Sequence, residues 1–275
     1  MTRIQETFSK LKAHGKGGLI AYITAGDPRP SYTPMIVEAL IRGGADIIEL
    51  GIPFSDPIAD GPTIQAATVR ALKGGTTPRK VLELSEQIRK RDETPLVILT
   101  YYNPIYRMGL ESFFKSAKAS GIDGVIVPDL PIEEASEYKR LAEAYEIDTI
   151  FLASPSTSAE RLGKIVECTS GFLYLVSVFG VTGVREKIQD LTIELVRMTL
   201  PITCGRIPLA VGFGISKPEH VETVIRNGAD AAIVGSGFVR IVERNHRREE
   251  EMLRLLRDYV SQLKKAAARP WTVNA

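Results

Sequence analysis

Glu49 closes the apolar part of the segment ADIIEL at 45–50, three residues after Asp46 opens it. A glutamate there is either solvated at a rim or held in an apolar mouth. In the second case desolvation raises its pKa toward the range useful for proton transfer. The loop that follows, GIPFSDPIADGP at 51–62, carries Asp56 and Asp60. Each has a plain structural role open to it, Asp60 as a helix cap before Gly61-Pro62 and Asp56 as an Asx turn before Pro57, and spacing alone does not choose. Tyr174, in a later apolar run, has a hydroxyl that could orient a carboxylate and a ring that could simply fill a core.

Glycines mark a second kind of chemistry. Gly212-Phe213-Gly214-Ile215-Ser216 and Gly235-Ser236-Gly237 each follow a short apolar run, and the second opens a short segment, 238–243, ahead of the last long helix. Glycines at a helix start let an anion approach free backbone N–H groups, the arrangement of phosphate seats in phosphate-binding barrels. Ser236 could add its hydroxyl. Plain turn glycines are the bland reading, which two such pairs at adjacent strand ends make less economical. A third glycine loop, 180–183, begins a polar stretch reaching Asp190 that suits a mobile lid over 177–190, or an ordinary surface loop.

What is missing narrows the chemistry. No lysine stands in or at the end of an apolar run, which argues against a Schiff base. His14, His220 and His246 fall in helical or connecting positions, against a zinc- or iron-type site. No dinucleotide or P-loop glycine pattern is present. Acid–base work by carboxylates on a phosphate ester remains.

Such residues need a scaffold, and the sequence spells one. β-Branched runs recur at Gly18–Ala25, Ala45–Ile52, Leu96–Tyr101, Gly124–Val127, Thr149–Ala153, Phe172–Val178, Leu209–Gly212 and Ala231–Val234. Continuous apolar character fits parallel strands buried on both faces. Helix signals fill the gaps: Thr33-Pro34 and Thr77-Pro78 as caps before a proline, Thr157…Glu160 and Ser216…Glu219 as capping boxes, and Gly43, Gly121 and Gly228 as stops. GGADIIELG (43–51), SGIDGVIVP (120–128) and NGADAAIVG (227–235) share a plan of glycine, aspartate two positions on, then strand. Convergent turn chemistry or an internal repeat would each produce it. Eight such units favour a closed (β/α)8 barrel, a TIM barrel of the phosphate-binding type, over an open doubly wound sheet. An extra amphipathic helix is expected before the first strand and a short extra helix after the eighth. The expected domain is 1–268, with a frayed tail at 269–275. The last helix is expected over about 247–265.

Composition agrees with this scaffold. The chain has 275 residues and 44% apolar content, enough for one large core. A net charge of +2 with interspersed signs gives no basic stripe for nucleic acid and no polybasic membrane anchor. No apolar run approaches the ~20 residues that span a bilayer. The first residues lack a signal-peptide core, and the two cysteines have no metal-ligand spacing. A soluble cytoplasmic protein is the expectation.

Taken together, these motifs resemble the tryptophan synthase α subunit family. ELGIPFSDPIADGPTIQ (49–65) matches that family's second-strand signature, and VGFGIS (211–216), GVTG (180–183) and VGSG (234–237) match its loops after strands seven, six and eight. TYYNP (100–104) and PDLP (128–131) resemble its third and fourth strand ends, and the resemblance spans residues 21–265. It implies retro-aldol cleavage of indole-3-glycerol phosphate to indole and glyceraldehyde 3-phosphate. Glu49 would be the proton shuttle and Asp60, not Asp56, the second catalytic carboxylate, contacted by Tyr174. Leu99 and Phe213 would line an indole pocket. Thr182, in the lid, would bind substrate, and Gly183, Gly214, Gly235 and Ser236 would hold the phosphate. No cofactor is implied in this chain. A β subunit carrying pyridoxal phosphate would dock on the surface of Asp56, Pro57, Asn103 and Asp129, giving an α2β2 heterotetramer.

Two departures stand out. Val178-Phe179 precede GVTG where the family has polar or small residues, and 199–208 is a few residues longer than usual. Three rivals share parts of the reading: another phosphate barrel, which would lack FSDPIADGP; a mainly allosteric partner subunit; and a solitary indole-releasing lyase.

Overall fold

The computed structural model describes residues 1–176 and 185–268, with the backbone alone for 185–190. Thr182, Gly183, Val178, Phe179 and the tail at 269–275 lie outside the described residues, as do the side chains of the rest of the expected lid to residue 190. The chain runs α1 (Arg3–Ala13), β1 (Gly18–Thr24), α2 (Thr33–Gly43), β2 (Ile47–Gly51), α3 (Pro62–Lys73), α4 (Pro78–Arg89) and β3 (Leu96–Leu99). It continues with α5 (Tyr102–Met108), α6 (Leu110–Ala119), β4 (Gly124–Ile126), α7 (Ser136–Ala144), β5 (Asp148–Ile150), β6 (Leu152–Ala153), α8 (Ala159–Cys168) and β7 (Leu173–Val176). Then come α9 (Arg185–Thr203), β8 (Leu209–Gly212), α10 (Pro218–Arg226), β9 (Ala231–Val234), α11 (Ser236–Asn245) and α12 (Glu249–Ala267).

All strand pairs are parallel, in the order β5-β4-β3-β2-β1-β9-β8-β7-β6. The eight expected strands are present. The fifth is divided at Phe151, so that β5 pairs with β4 and β6 with β7. The two halves of one strand thereby join the ends of the ladder into a barrel, which excludes the open sheet.

Alternation along each strand sorts side chains between two cores. Leu19, Ala21 and Ile23 of β1 pack in the layer beneath the helices, while Ile20 and Tyr22 point into the barrel. On β2, Ile48 and Leu50 face outward and Ile47 inward. Glu49 has the parity of Ile47, so it too points inward. Ile4 and Phe8 of α1 join the inner core, with the Phe8 and Phe172 rings 6.0 Å apart. The expected N-terminal helix thus closes the lower end of the barrel.

The threefold glycine–aspartate plan has a mechanical meaning. Gly44, Gly121 and Gly228 take positive φ values of 104°, 77° and 104°, ending a helix in a conformation glycine adopts without strain. Two residues on, each aspartate accepts the N–H of a residue at the start of a neighbouring strand. Asp46 takes that of Leu19 (2.7 Å), Asp123 that of Leu96 (2.8 Å) and Asp230 that of Leu209 (2.7 Å). The aspartates' own N–H groups donate to the carbonyls of the same three leucines. These two-point clamps register adjacent strands on the face away from the site. Asp123 also binds Arg89 (2.7 Å) and Arg3 (3.0 Å). Asp123→Ala should therefore cost about 3 kcal/mol of stability, read as a lower urea midpoint, because it strands a largely buried guanidinium and a strand N–H.

Three cap expectations move. Thr77 caps α4 as expected, accepting from Lys80 N–H. Ser158, not Thr157, caps α8, and the Thr157 hydroxyl accepts from Ser154 N–H instead. Lys217 precedes α10 with no side-chain cap, while the Ser216 carbonyl accepts from the Tyr259 hydroxyl (2.5 Å). A 3-10 turn at Pro30–Tyr32 leads into α2, and the Thr33 hydroxyl accepts from Gly26 N–H (2.8 Å). In the Thr33 case the hydroxyl is taken by Gly26, outside the helix, rather than by the helix's own N–H groups. The long stretch before β8 extends α9 to Thr203 and turns at Cys204 and Gly205, both at positive φ.

Candidate active site

At the C-terminal ends of the strands, where barrel sites form, lies a cavity of about 350 Å³. Its walls include Glu49, Asp60, Leu99, Tyr174, Phe213, Gly214, Gly235 and Ser236, all the sequence-derived catalytic and substrate-binding residues that are described. Tyr22, Ile64 and Ile233 also line it and were not singled out from the sequence. Each lies in a run or helix whose apolar character reads as core.

Glu49 is 1% exposed, and neither carboxylate oxygen has a hydrogen-bond partner. Burial, reinforced by the charge of Asp60, pushes its pKa up to about 8. The solvated-rim alternative is excluded; the apolar mouth holds. Its neighbours in register are Tyr22 on β1 and Val97 on β3.

Asp60 is oriented differently. Gly61, not Asp60, is the N-cap of α3, and no side chain caps that helix. The cap role is therefore vacant, and the carboxylate faces the cavity instead. Burial raises its pKa, and a hydrogen bond from the Tyr101 phenol opposes the rise. The Tyr101 hydroxyl in turn accepts from Ala59 N–H (3.0 Å), and its ring stacks obliquely on Phe54 at 5.5 Å. Tyr101 thus pins both ends of the 54–60 loop. The resemblance assigned Tyr174 to Asp60; the hydrogen bond comes from Tyr101, and Tyr174 adds its ring to the apolar wall. Asp56 is exposed and accepts from the Ser55 hydroxyl.

The apolar wall is built partly by strain. Phe213 has φ 68°, a left-handed conformation costly for an aromatic residue. It sets the ring edge-on to Tyr174 at 5.8 Å. Glycines across the barrel make room for tyrosines. A Cβ on Gly51 would collide with the Tyr22 hydroxyl, and one on Gly212 with that of Tyr174. Gly235 likewise lies against the Tyr22 ring. Opposite the carboxylates, α11 starts at Ser236, so its first N–H groups lack intrahelical acceptors. The expected short helix is ten residues long.

The remaining sequence-derived positions form a rim over the second to fourth strands. Asn103 is exposed and Pro57 half-buried. Asp129 accepts from Tyr102 N–H (2.9 Å), capping α5 from a neighbouring loop. Beside them Ile58 and Tyr106 are 78% and 67% exposed, large apolar side chains that the sequence reading did not flag.

Residues 8–268 match the family model described as tryptophan synthase alpha chain. The chain belongs to the tryptophan synthase alpha chain family. Among its relatives, the tryptophan synthase alpha chain of Solibacter usitatus is 50% identical over 89% of this chain and 91% of its own length. That of Methanoregula boonei is 48% identical over 97% and 99%. Among solved structures, the alpha subunit from Legionella pneumophila superposes with a TM-score of 0.87 at 37% identity, covering 97% of this chain and 98% of that one. A chain of the tryptophan synthase a2b2 complex from Pyrococcus furiosus does so with 0.84 at 46% identity, covering 90% and 98%. Another phosphate barrel is thereby excluded. Among the described residues no helix is long and apolar enough to cross a membrane.

Proposed function

We propose that Glu49 and Asp60 together cleave indole-3-glycerol phosphate in this cavity. The chain is a carbon–carbon lyase of tryptophan biosynthesis by family. The observation that carries the residue assignment is an unpartnered, buried Glu49 sharing one apolar cavity with Asp60, while a glycine-flanked helix start faces them.

Protonated Glu49 gives its proton to indole C3, and positive charge develops on the ring. The Asp60 carboxylate accepts a hydrogen bond from N1–H and stabilises that charge. Glu49, now a carboxylate, removes the glycerol hydroxyl proton. The C–C bond breaks, its electron pair restores the aromatic ring, and the aldehyde forms on glyceraldehyde 3-phosphate. Glu49 ends protonated, as it began. Leu99, Ile64, Phe213 and the Tyr174 ring hold the indole. Gly214, Gly235 and Ser236 hold the phosphate, with Thr182 and Gly183 supplied by the adjoining loop. Residues 1–268 act as one domain.

The rim of Asp56, Pro57, Asn103 and Asp129, with exposed Ile58 and Tyr106 beside it, fits a protein partner. We assign it to a β subunit holding pyridoxal phosphate, in an α2β2 assembly of the cytoplasm; the relative from Pyrococcus furiosus is part of an a2b2 complex.

Purified chain should release indole from indole-3-glycerol phosphate, and stimulation and co-elution with a β subunit should follow. No indole release would sink the catalytic assignment. The rate should also be bell-shaped in pH. In the free enzyme Glu49 must be protonated, so kcat/KM should fall as pH rises through about 8. Asp60 must be ionised, so activity should fall on the acid side, at a pH above the ordinary aspartate range. A flat profile across the alkaline limb would contradict the role given to Glu49.

A further inference from the structure

Beside the phosphate end of the cavity, outside its wall, stands an exposed cation that no motif in the sequence picks out. Arg240 lies one turn into α11 and folds back toward the helix start. Its Nε donates to the Ser236 carbonyl (3.1 Å) and its Nη2 to the Ser236 hydroxyl oxygen (3.2 Å). Helical side chains lean toward the N-terminus, so the reach is natural. The charge is not. The first turn is the positive end of the helix dipole, where carboxylates are favoured and cations are not. α11 has no acidic residue in its first turn. Among the described residues Arg240 has no carboxylate partner. A guanidinium on an unneutralised positive helix end is unfavourable in an empty site and becomes favourable when an anion arrives.

The hydrogen-bond direction adds a second consequence. A guanidinium has donors only. Its bond to Ser236 therefore fixes the hydroxyl oxygen as an acceptor and leaves the hydroxyl proton free to point elsewhere. Ser236 lines the cavity. We propose that Arg240 is a positioning residue for the substrate phosphate: it turns the Ser236 hydroxyl into a donor aimed at the phosphate and places positive charge behind it. This rests on the reading of the cavity as the site of indole-3-glycerol phosphate cleavage.

The test uses the full chain, with indole release measured for indole-3-glycerol phosphate and for its unphosphorylated counterpart, indole-3-glycerol. Arg240→Met should raise KM for the phosphate ester about fivefold to tenfold, with kcat changed by less than about twofold. Arg240→Lys should recover part of the loss. KM for indole-3-glycerol should not move. In a Ser236→Ala background, Arg240→Met should add less than about twofold, because the hydroxyl it orients is gone. Inhibition by inorganic phosphate should weaken in Arg240→Met by the same factor as the KM change. An unchanged KM, an equal change for both substrates, or full additivity with Ser236→Ala would overturn the proposal. If wild type released no indole, the catalytic reading would fail by itself. Direct titration with inorganic phosphate would then decide Arg240, weaker binding in Arg240→Met supporting its role and equal binding refuting it.

Discussion

Glu49→Gln should lower indole release by about three orders of magnitude, in the middle of the range that a positioned proton donor supplies. KM for indole-3-glycerol phosphate should stay within about threefold, since the amide keeps the carboxyl's shape and reach. Both oxygens of Glu49 lack partners, so the change removes no protein hydrogen bond. What it removes is a transferable proton at a group whose pKa sits near 8. Steady-state kinetics, with substrate binding followed separately by calorimetry, would check this. Retention of wild-type turnover would end the assignment. A loss of binding in proportion to rate would instead make Glu49 a structural group.

The same burial should make the empty protein less stable as pH rises. Glu49 has a folded pKa near 8 against an unfolded value of 4.5. Between those values the folded state holds a proton that the unfolded state has lost. Stability is thus fully present below pH 4.5, declines up to about pH 8 and levels off above it. The fall amounts to a few kcal/mol, on the order of the linkage between the two values. Asp60, also raised by burial, adds a smaller decline beginning at lower pH. Urea midpoints of wild type and Glu49→Gln, measured from about pH 5 to about pH 9, should diverge steadily in favour of the glutamine variant. Parallel curves would show that Glu49 is ionised in the folded protein.

How far the sequence could be read depends on whether a feature is local. The barrel was legible because each strand is a short apolar run set between helix signals, and this rhythm does not need distant residues to be seen. The division of the fifth strand at Phe151 was not, because it reflects how the ladder closes between β4 and β7. Cap positions shifted where another group engaged the hydroxyl, as when Gly26 N–H takes that of Thr33. In the site, Glu49 was visible as a charge in an apolar run, while its burial followed only from parity and the closed barrel. Asp60 and Asp56 were indistinguishable by spacing; the N-cap at Gly61 separates them. Tyr22 remained hidden because an inward tyrosine within GLIAYIT looks like core. Tyr101 appeared only as part of a matching string, since its value lies in gripping Ala59 and Asp60 across forty residues of chain. Gly51 was read as part of the second strand run and Gly212 as part of a phosphate-binding glycine pair, and the further reason for each is the tyrosine ring facing it.

The plug formed by Ile4 and Phe8 bears on how the proposed cycle handles protons. With the lower end of the barrel stoppered by Ile4 and Phe8, the described residues open the carboxyl of Glu49 toward the cavity that the substrate would occupy. Substrate in that cavity then stands between the carboxyl and bulk water. The cleavage tolerates this because it is proton-neutral: what C3 receives, the glycerol hydroxyl returns to the same carboxyl. The helix below the barrel thereby makes the chemical step independent of buffer, with resetting of the acid done by the substrate rather than by solvent.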